Sequence, residues 1–269
     1  TAYIGTQNFG HFSLNTRTGT MTRVPSEQSG FFAVDLETGK VKWRLPAIRE
    51  VSSAAAVVQG TIYFGTLEGY FYALEAETGR VRWTRSFGKN INSSPAVVDG
   101  LAYFGTYGGD CYALEASTGE TRWQNKVPGW VVGSPVVAGG RAFFPCDDGA
   151  LYAMDAASGK SAWRFKTGKG LMDTPALSDG VLYLGSQDGS CYAVDASSGK
   201  QRWRFKAGSP IKSSVAVAGG KAFFGCENGA FYAVQIADGK MAWKFAAGET
   251  ISSSPAVAGG TVYFGCDDR

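Results

Sequence analysis

Tryptophan recurs every 40 residues: Trp43, Trp83, Trp123, Trp163, Trp203 and Trp243 stand in phase. Gly39, Gly79, Gly119, Gly159, Gly199 and Gly239 each precede a phased tryptophan by four residues. Ala33, Ala73, Ala113, Ala153, Ala193 and Ala233 each precede one by ten. A fixed period of this length means one supersecondary unit repeated, because a single unit cannot bury its apolar face alone. The seventh tryptophan, Trp130, is out of phase.

The content of one unit, residues 94–126, predicts its structure. Ser94 to Val98, Leu101 to Thr106, Asp110 to Glu115 and Glu120 to Lys126 are short runs of strand-forming residues. Asp99-Gly100, Tyr107-Gly108-Gly109 and Ser117-Thr118-Gly119 separate them. Four such runs with turn signals between them predict an antiparallel meander. The first turn is Asp-Gly or Gly-Gly in most units, which suits a two-residue hairpin with positive φ. The third ends in Thr-Gly or Ser-Gly, where glycine takes a left-handed position beside a bulge. No segment has helical spacing with caps. In the fourth run Arg202, Arg204 and Lys206 face one way and Trp203 and Phe205 the other. Period 2 gives one packed and one wet face, and the basic residues suit an edge strand that must resist pairing with other chains.

Four-stranded units form either a linear array or a closed propeller, and closure removes the exposed ends. The expectation is therefore an all-β chain, a β-propeller of four-stranded antiparallel blades. It forms a single domain over residues 1–269, with an irregular first unit over 1–45. Residues 1–23 match 61–83 at a shift of 60, with Arg23 where tryptophan belongs, and Trp43 follows only 20 residues later. Two strands are thus missing near Val24–Gly30. The count of 27 strands is one short of seven full blades. Seven is the expectation, with six or eight open.

Composition removes several functions. Hydrophobic residues are 44%, enough for a sizeable core, and no apolar run approaches the length of a membrane helix. A net charge of +3 is too small to argue for nucleic acid or anionic lipid. A single histidine, His11, excludes most catalytic triads and zinc sites; it stands where other units have Phe71 or Phe231, as a structural or exposed residue. Cys146, Cys226 and Cys266 share one repeat position and Cys111 and Cys191 another, replacing small or apolar residues as buried thiols do. Their spacing fits neither zinc nor a redox pair, and five leaves at least one free. Such usage leans against a disulfide-stapled secreted protein. The chain begins at Thr1 with no signal or lipidation motif, and reads as a processed product or part of a longer chain or complex.

Ala33-Val-Asp35-Leu-Glu-Thr38-Gly39-Lys40-Val-Lys-Trp43 matches, in order, the tryptophan-docking motif of quinoprotein-like (pyrroloquinoline quinone-like) propellers. The stretches 153–163 and 193–203 match with serine for threonine, and Ala73, Ala113 and Ala233 begin looser copies. The chain resembles this family over about 240 residues. The resemblance implies that Trp43, Trp83, Trp123, Trp163, Trp203 and Trp243 pack between neighbouring blades. Relatives include quinone-dependent dehydrogenases, the propeller lipoproteins of outer-membrane barrel assembly, and sensor domains, and the fold does not choose among them. Quinone enzymes of the family are about twice this length, many with a vicinal cysteine pair, and they hold calcium beside an aspartate base. This chain has no Cys-Cys pair. Asp173 and Asn92 sit before an innermost strand, yet Asp173 has no acidic companion in its loop. Asp147-Asp148 and Asp267-Asp268 read as turn residues. No cofactor and no metal are expected, and no catalytic residue.

The segments joining one blade to the next differ most: Ala47–Ser52, Phe87–Ser93, Val127–Gly133, Thr167–Asp173, Ala207–Ser213 and Ala247–Ser253. In a propeller they emerge on one face around the channel. The candidate interaction face is Arg49, Lys89, Asn92, Trp130, Lys169, Asp173 and Lys212. Trp130 is either an interface anchor or a cap on the core, and Lys212 and Asp173 either pair or are solvated. The expected function is a non-catalytic scaffold presenting these loops to a protein or peptide. The alternative is a quinone- and calcium-dependent dehydrogenase or small-molecule sensor using the channel. The resemblance implies a periplasmic or extracytoplasmic bacterial location, with the cytoplasm as the alternative.

Overall fold

The computed structural model describes residues 1–5, 11–15, 20–24, 30–46 and 50–267. All regular structure among them is strand, 27 in number, with no helix. The chain falls into two compact units, residues 1–126 and 127–269.

In the first unit, four-stranded antiparallel sheets span residues 56–86 and 96–126. Each runs in sequence order from first to fourth strand. Ahead of them lie β1 (Ala2–Gly5), β2 (His11–Asn15), β3 (Thr20–Val24), β4 (Phe31–Val34) and β5 (Val41–Leu45). In the second unit, four-stranded sheets span residues 136–166, 176–206 and 216–246, and a two-stranded sheet spans 256–263.

Although residues 1–23 match 61–83 in sequence, β1, β2 and β3 do not share one sheet. The observed sheet is β1-β4-β5, and β2 and β3 form a separate hairpin. Gly5 pairs with Phe31 and Tyr3 with Ala33, the register of Gly65 with Phe71 and Tyr63 with Ala73. The cause is the shortened repeat. β4 and β5 are third and fourth strands whose second strand is missing, and β1 has second-strand chemistry. Tyr3 behaves as Tyr63 does: its hydroxyl donates to Ala76 O at 3.2 Å, as Tyr63 donates to Ala116 O at 3.2 Å.

The turns follow the sequence reading. Asp99 and Gly100 have φ of 50° and 77°, the left-handed pair that matches hairpin twist. Gly119 has φ of 73°, and the register shifts beside it, between Ala113 and Leu114. This glycine is required twice over. A Cβ at Gly119 would lie 2.6 Å from the Trp83 ring, and one at Gly79 would lie 2.6 Å from Trp43. Trp43, Trp83, Trp163 and Trp203 each lie on the turn glycine 36 residues later.

The indole also finds a fixed acceptor. Trp43, Trp83 and Trp203 donate Nε1–H to the carbonyls of Ala76, Ala116 and Ile236 at 3.1, 2.9 and 2.8 Å. Aromatic contacts carry the packing onward: Phe71 stacks on Trp83 at 5.8 Å and on Phe104 of the next blade at 4.6 Å. At these three junctions a large ring packs against the next repeat with its one polar atom satisfied. On the fourth strand, Arg202, Arg204 and Lys206 are exposed and Trp203 is buried, and the strand is the sheet edge.

Candidate functional site

The connecting loops at 87–93, 167–173, 207–213 and 247–253 are each tied by backbone hydrogen bonds to the strands before and after them. In the first unit, Phe87 N–H donates to Gly69 O at 2.8 Å and Ile91 N–H to Thr66 O at 3.0 Å. Tyr107 N–H of the following blade donates to Asn90 O at 3.0 Å. The second unit repeats this with Thr167 to Gly149, Leu171 to Cys146 and Gln187 to Gly170, at 2.8, 3.0 and 3.0 Å. These loops are held in place by their backbone, which frees their side chains to vary.

A serine clamp lies one step below. Ser93 Oγ donates to Gly105 O at 3.0 Å and accepts from Gly105 N–H at 2.7 Å. Ser53 with Gly65, Ser213 with Gly225 and Ser253 with Gly265 do the same. Two blades break the pattern. Gly133 replaces the serine where Pro145 replaces the glycine; proline has no N–H to satisfy, and a Cβ at 133 would lie 2.7 Å from Pro145 Cγ. At the other, Asp173 stands in the serine position.

The candidate side chains fall as follows. Arg49 lies outside the described residues. In the first unit Lys89 is exposed, and Asn92 is half-buried and accepts the Ser52 hydroxyl through Oδ1. In the second unit Trp130 is 51% exposed. Its backbone N–H donates to Asp147 Oδ1 at 2.5 Å, and Asp147 N–H donates to Trp130 O at 2.9 Å. Lys169 is exposed, and its carbonyl accepts the Thr167 hydroxyl at 2.6 Å. Lys212 is ion-paired with Glu227 and not with Asp173. Asp173 is half-buried; burial pushes its carboxyl up to about 7, with the Lys212 charge opposing.

Sequence reasoning missed Glu227, Asp147 as the residue that fixes Trp130, and the serine clamp. The clamp was present as a signal: four of six units carry serine at that position.

Asp148 is bound within its own blade, and four of the five cysteines are buried. Asp148 accepts from Ala150 N–H at 2.8 Å and from the Tyr152 hydroxyl at 2.6 Å. Burial opposes its ionisation, but these bonds outweigh it and hold its carboxyl below the usual value. Asp268 lies outside the described residues. Among the described residues no three His, Cys, Asp or Glu side chains cluster as a metal site would require. Cys111, Cys146, Cys191 and Cys226 are buried and Cys266 is half-exposed, all as free thiols. Burial pushes the Cys146 and Cys226 thiols up to about 12. Among the described residues no helix is long and apolar enough to cross a membrane.

A family model described as outer membrane protein assembly factor BamB matches residues 28–109, 88–204 and 147–269. The chain belongs to this family. BamB from Moraxella catarrhalis superimposes with a TM-score of 0.75 at 16% identity, covering 97% of this chain and 80% of that one. A quinohemoprotein alcohol dehydrogenase from Pseudomonas putida HK5 gives 0.63 at 21% identity, covering 74% of this chain and 42% of that one. The corresponding enzyme from Comamonas testosteroni gives 0.63 at 18%, covering 74% and 43%. These likenesses establish the all-β propeller fold of four-stranded blades that the BamB family shares with the quinone enzymes. The search of curated proteins returned no match.

Proposed function

We propose that this chain is a non-catalytic, extracytoplasmic scaffold that holds a protein partner in outer-membrane protein assembly. The partner sits on the loop-bearing end of the blades. Trp130 carries this reading. A half-exposed indole costs solvation unless something covers it, and aromatic anchors dominate protein interfaces. Here the anchor stands on backbone fixed in both directions by Asp147, so little ordering entropy remains to be lost on binding. Lys169 and Lys212 lie on equivalent loops of the same unit and add polar rim contacts. Lys89 and Asn92 are their counterparts in the first unit. Membership of the BamB family supports the class of partner.

The test is affinity for purified soluble domains of the outer-membrane assembly proteins from the same bacterium. Trp130→Ala with Lys212→Ala is expected to weaken binding at least about tenfold while leaving the melting temperature nearly unchanged. Undiminished binding by the double variant would remove this site.

A second reading rests on Asp173, a half-buried carboxyl that keeps its proton to about pH 7 and so has the character of an acid–base group. It would make the chain a quinone- and calcium-dependent oxidoreductase or sensor. Saturable, calcium-dependent quenching of tryptophan fluorescence by pyrroloquinoline quinone, lost in Asp173→Asn, would favour it over the scaffold.

A further inference from the structure

One blade junction in the second unit breaks the tryptophan-docking rule. Trp163 Nε1 is buried and has no hydrogen-bond partner. By the 33-residue offset of Trp43, Trp83 and Trp203, its acceptor should be the carbonyl of Ala196. That oxygen instead accepts Arg141 Nη1 at 3.2 Å, and the same nitrogen also donates to Ser197 O. The substitution has a local cause. Ala76 O and Ala116 O each receive a tyrosine hydroxyl beside the indole, from Tyr3 and Tyr63. The corresponding residue here is Phe143, which has no hydroxyl; the guanidinium, bulkier than a hydroxyl and shared with Ser197 O, takes the carbonyl without the indole joining it.

The arrangement is costly on two counts. A buried N–H is left unmade, and a guanidinium is spent on two neutral carbonyls. Among the described residues no carboxylate lies within ion-pair distance of Arg141. Asp155, its cross-strand neighbour, feels its charge but is held by the backbone and hydroxyl of Ser158 at 2.8 and 2.6 Å. Asp195 is likewise taken, by Arg202 at 2.7 Å.

Arg141 borders a groove of about 450 Å³, lined also by Ala138, Phe143, Leu177, Asp195 and Arg202. That volume falls in the range of binding clefts. The groove lies at the opposite end of the strands from Trp130, beside the first- and third-turn residues. Its floor is apolar and its rim holds two guanidinium groups against one carboxylate already paired.

We propose that this groove binds a peptide segment carrying a carboxylate next to an apolar side chain. The apolar group rests on Leu177 and Ala138, over the buried Phe143. Arg141 turns from the carbonyls of residues 196 and 197 to the ligand carboxylate, which it grips in the two-pronged geometry of guanidinium pairs. The vacated Ala196 oxygen then accepts Trp163 Nε1–H, which restores the bond made at the regular junctions. Ligand binding and repair of the junction are one event, so the groove gains a hydrogen bond outside the ligand itself.

The test uses the full chain, with acetyl-Leu-Phe-Asp-Leu-amide as probe. Its asparagine counterpart and octanoate serve as comparison arms. Binding is followed by calorimetry and by the indole N–H resonance of Trp163, assigned through Trp163→Phe. The expected result has three parts. The acidic peptide binds at least about tenfold tighter than the asparagine peptide. The Trp163 indole proton moves downfield as it gains an acceptor. Arg141→Gln abolishes the preference for the acid. Phe143→Tyr, which restores the missing hydroxyl, weakens binding by narrowing the groove and keeps the wild-type fold. Equal binding of the two peptides would overturn the proposal, as would failure of both at millimolar concentration. So would an unmoved Trp163 resonance during acidic-peptide binding. Octanoate binding as tightly as the acidic peptide would overturn the peptide assignment.

Discussion

Trp130 and Asp147 exchange hydrogen bonds in both directions, carboxylate to N–H at 2.5 Å and carbonyl to N–H at 2.9 Å. The second bond is common to the loops: Asn90 with Tyr107 and Gly170 with Gln187 make it too. The first comes from the Asp147 side chain; on the next loop Gly168 N–H donates comparably to Asp188 Oδ2 at 2.9 Å. The Asp147 bond fixes the one loop that carries an exposed indole. Asp147→Ala is expected to leave the backbone bond and the fold intact, at a cost of about 1–2 kcal/mol. It should weaken partner binding by raising the entropy that Trp130 loses on contact. The effect should be smaller than that of Trp130→Ala, and slow-exchange protection of the Trp130 amide should fall. An unchanged affinity alongside lost amide protection would separate rigidity from binding.

The docking tryptophans provide an internal control on the Arg141 junction. Trp203→Phe removes a bond to Ile236 O made at 2.8 Å and leaves that carbonyl with one partner fewer. Trp163→Phe removes a buried N–H that has no partner. Both lose similar ring area, so the difference isolates the hydrogen bond. The Trp203 variant is expected to be less stable than the Trp163 variant by about 1–2 kcal/mol, which in a chain of this size is a few degrees of melting temperature. Denaturant unfolding of the two variants checks it, and an equal loss would mean that Trp163 Nε1 is satisfied in solution.

The fold was legible because the repeat supplies its own alignment. Glycine four residues before each docking tryptophan marks a left-handed turn, and Gly79, Gly119, Gly199 and Gly239 also mark the surface on which an earlier indole lies. A one-residue slip would break both. The first 45 residues were harder. Their strands were readable one by one, but the pairing of β1 with β4 depends on which partner is missing, and a strand pattern carries no address for its neighbour. The site was less legible still. Trp130 stood out because it breaks phase, whereas Asp147 and Glu227 act through contacts that cross from one loop to another turn. Arg141 gave no signal, since its repeat position holds Thr61, Leu101, Val181 and Lys221 elsewhere.

The thiols can be separated by reactivity. Cys146 and Cys226 are held up at about 12 by burial, and burial raises Cys191 as well. The thiolate is the reacting species, so these groups are protected twice, by access and by protonation. Cys266 is half-exposed and donates to Glu249 O at 3.1 Å. Native labelling with a thiol reagent at pH 8 is expected to modify Cys266 first and leave the buried four until unfolding. Rapid loss of Cys146 or Cys191 would show that their blades open on the labelling timescale.

Asp173 sets the pH dependence at the broken clamp. A serine at this position both donates to and accepts from the facing glycine, whereas a carboxylate can only accept. The folded carboxyl keeps its proton to about pH 7, against 3.8 when unperturbed. Between those values the folded chain binds more protons than the unfolded chain, so stability falls as pH rises. The contribution is complete below about pH 4 and is lost by pH 7; Lys212 narrows the window by favouring the charged form. Asp173→Asn is expected to flatten this slope. Asp173→Ser, which restores the donor and acceptor pair opposite Gly185, is expected to stabilise the chain most at pH 8 and least at pH 5. Unfolding curves at those two pH values decide it. A gain that is the same at both would mean that Asp173 is already ionised in the folded chain at pH 5.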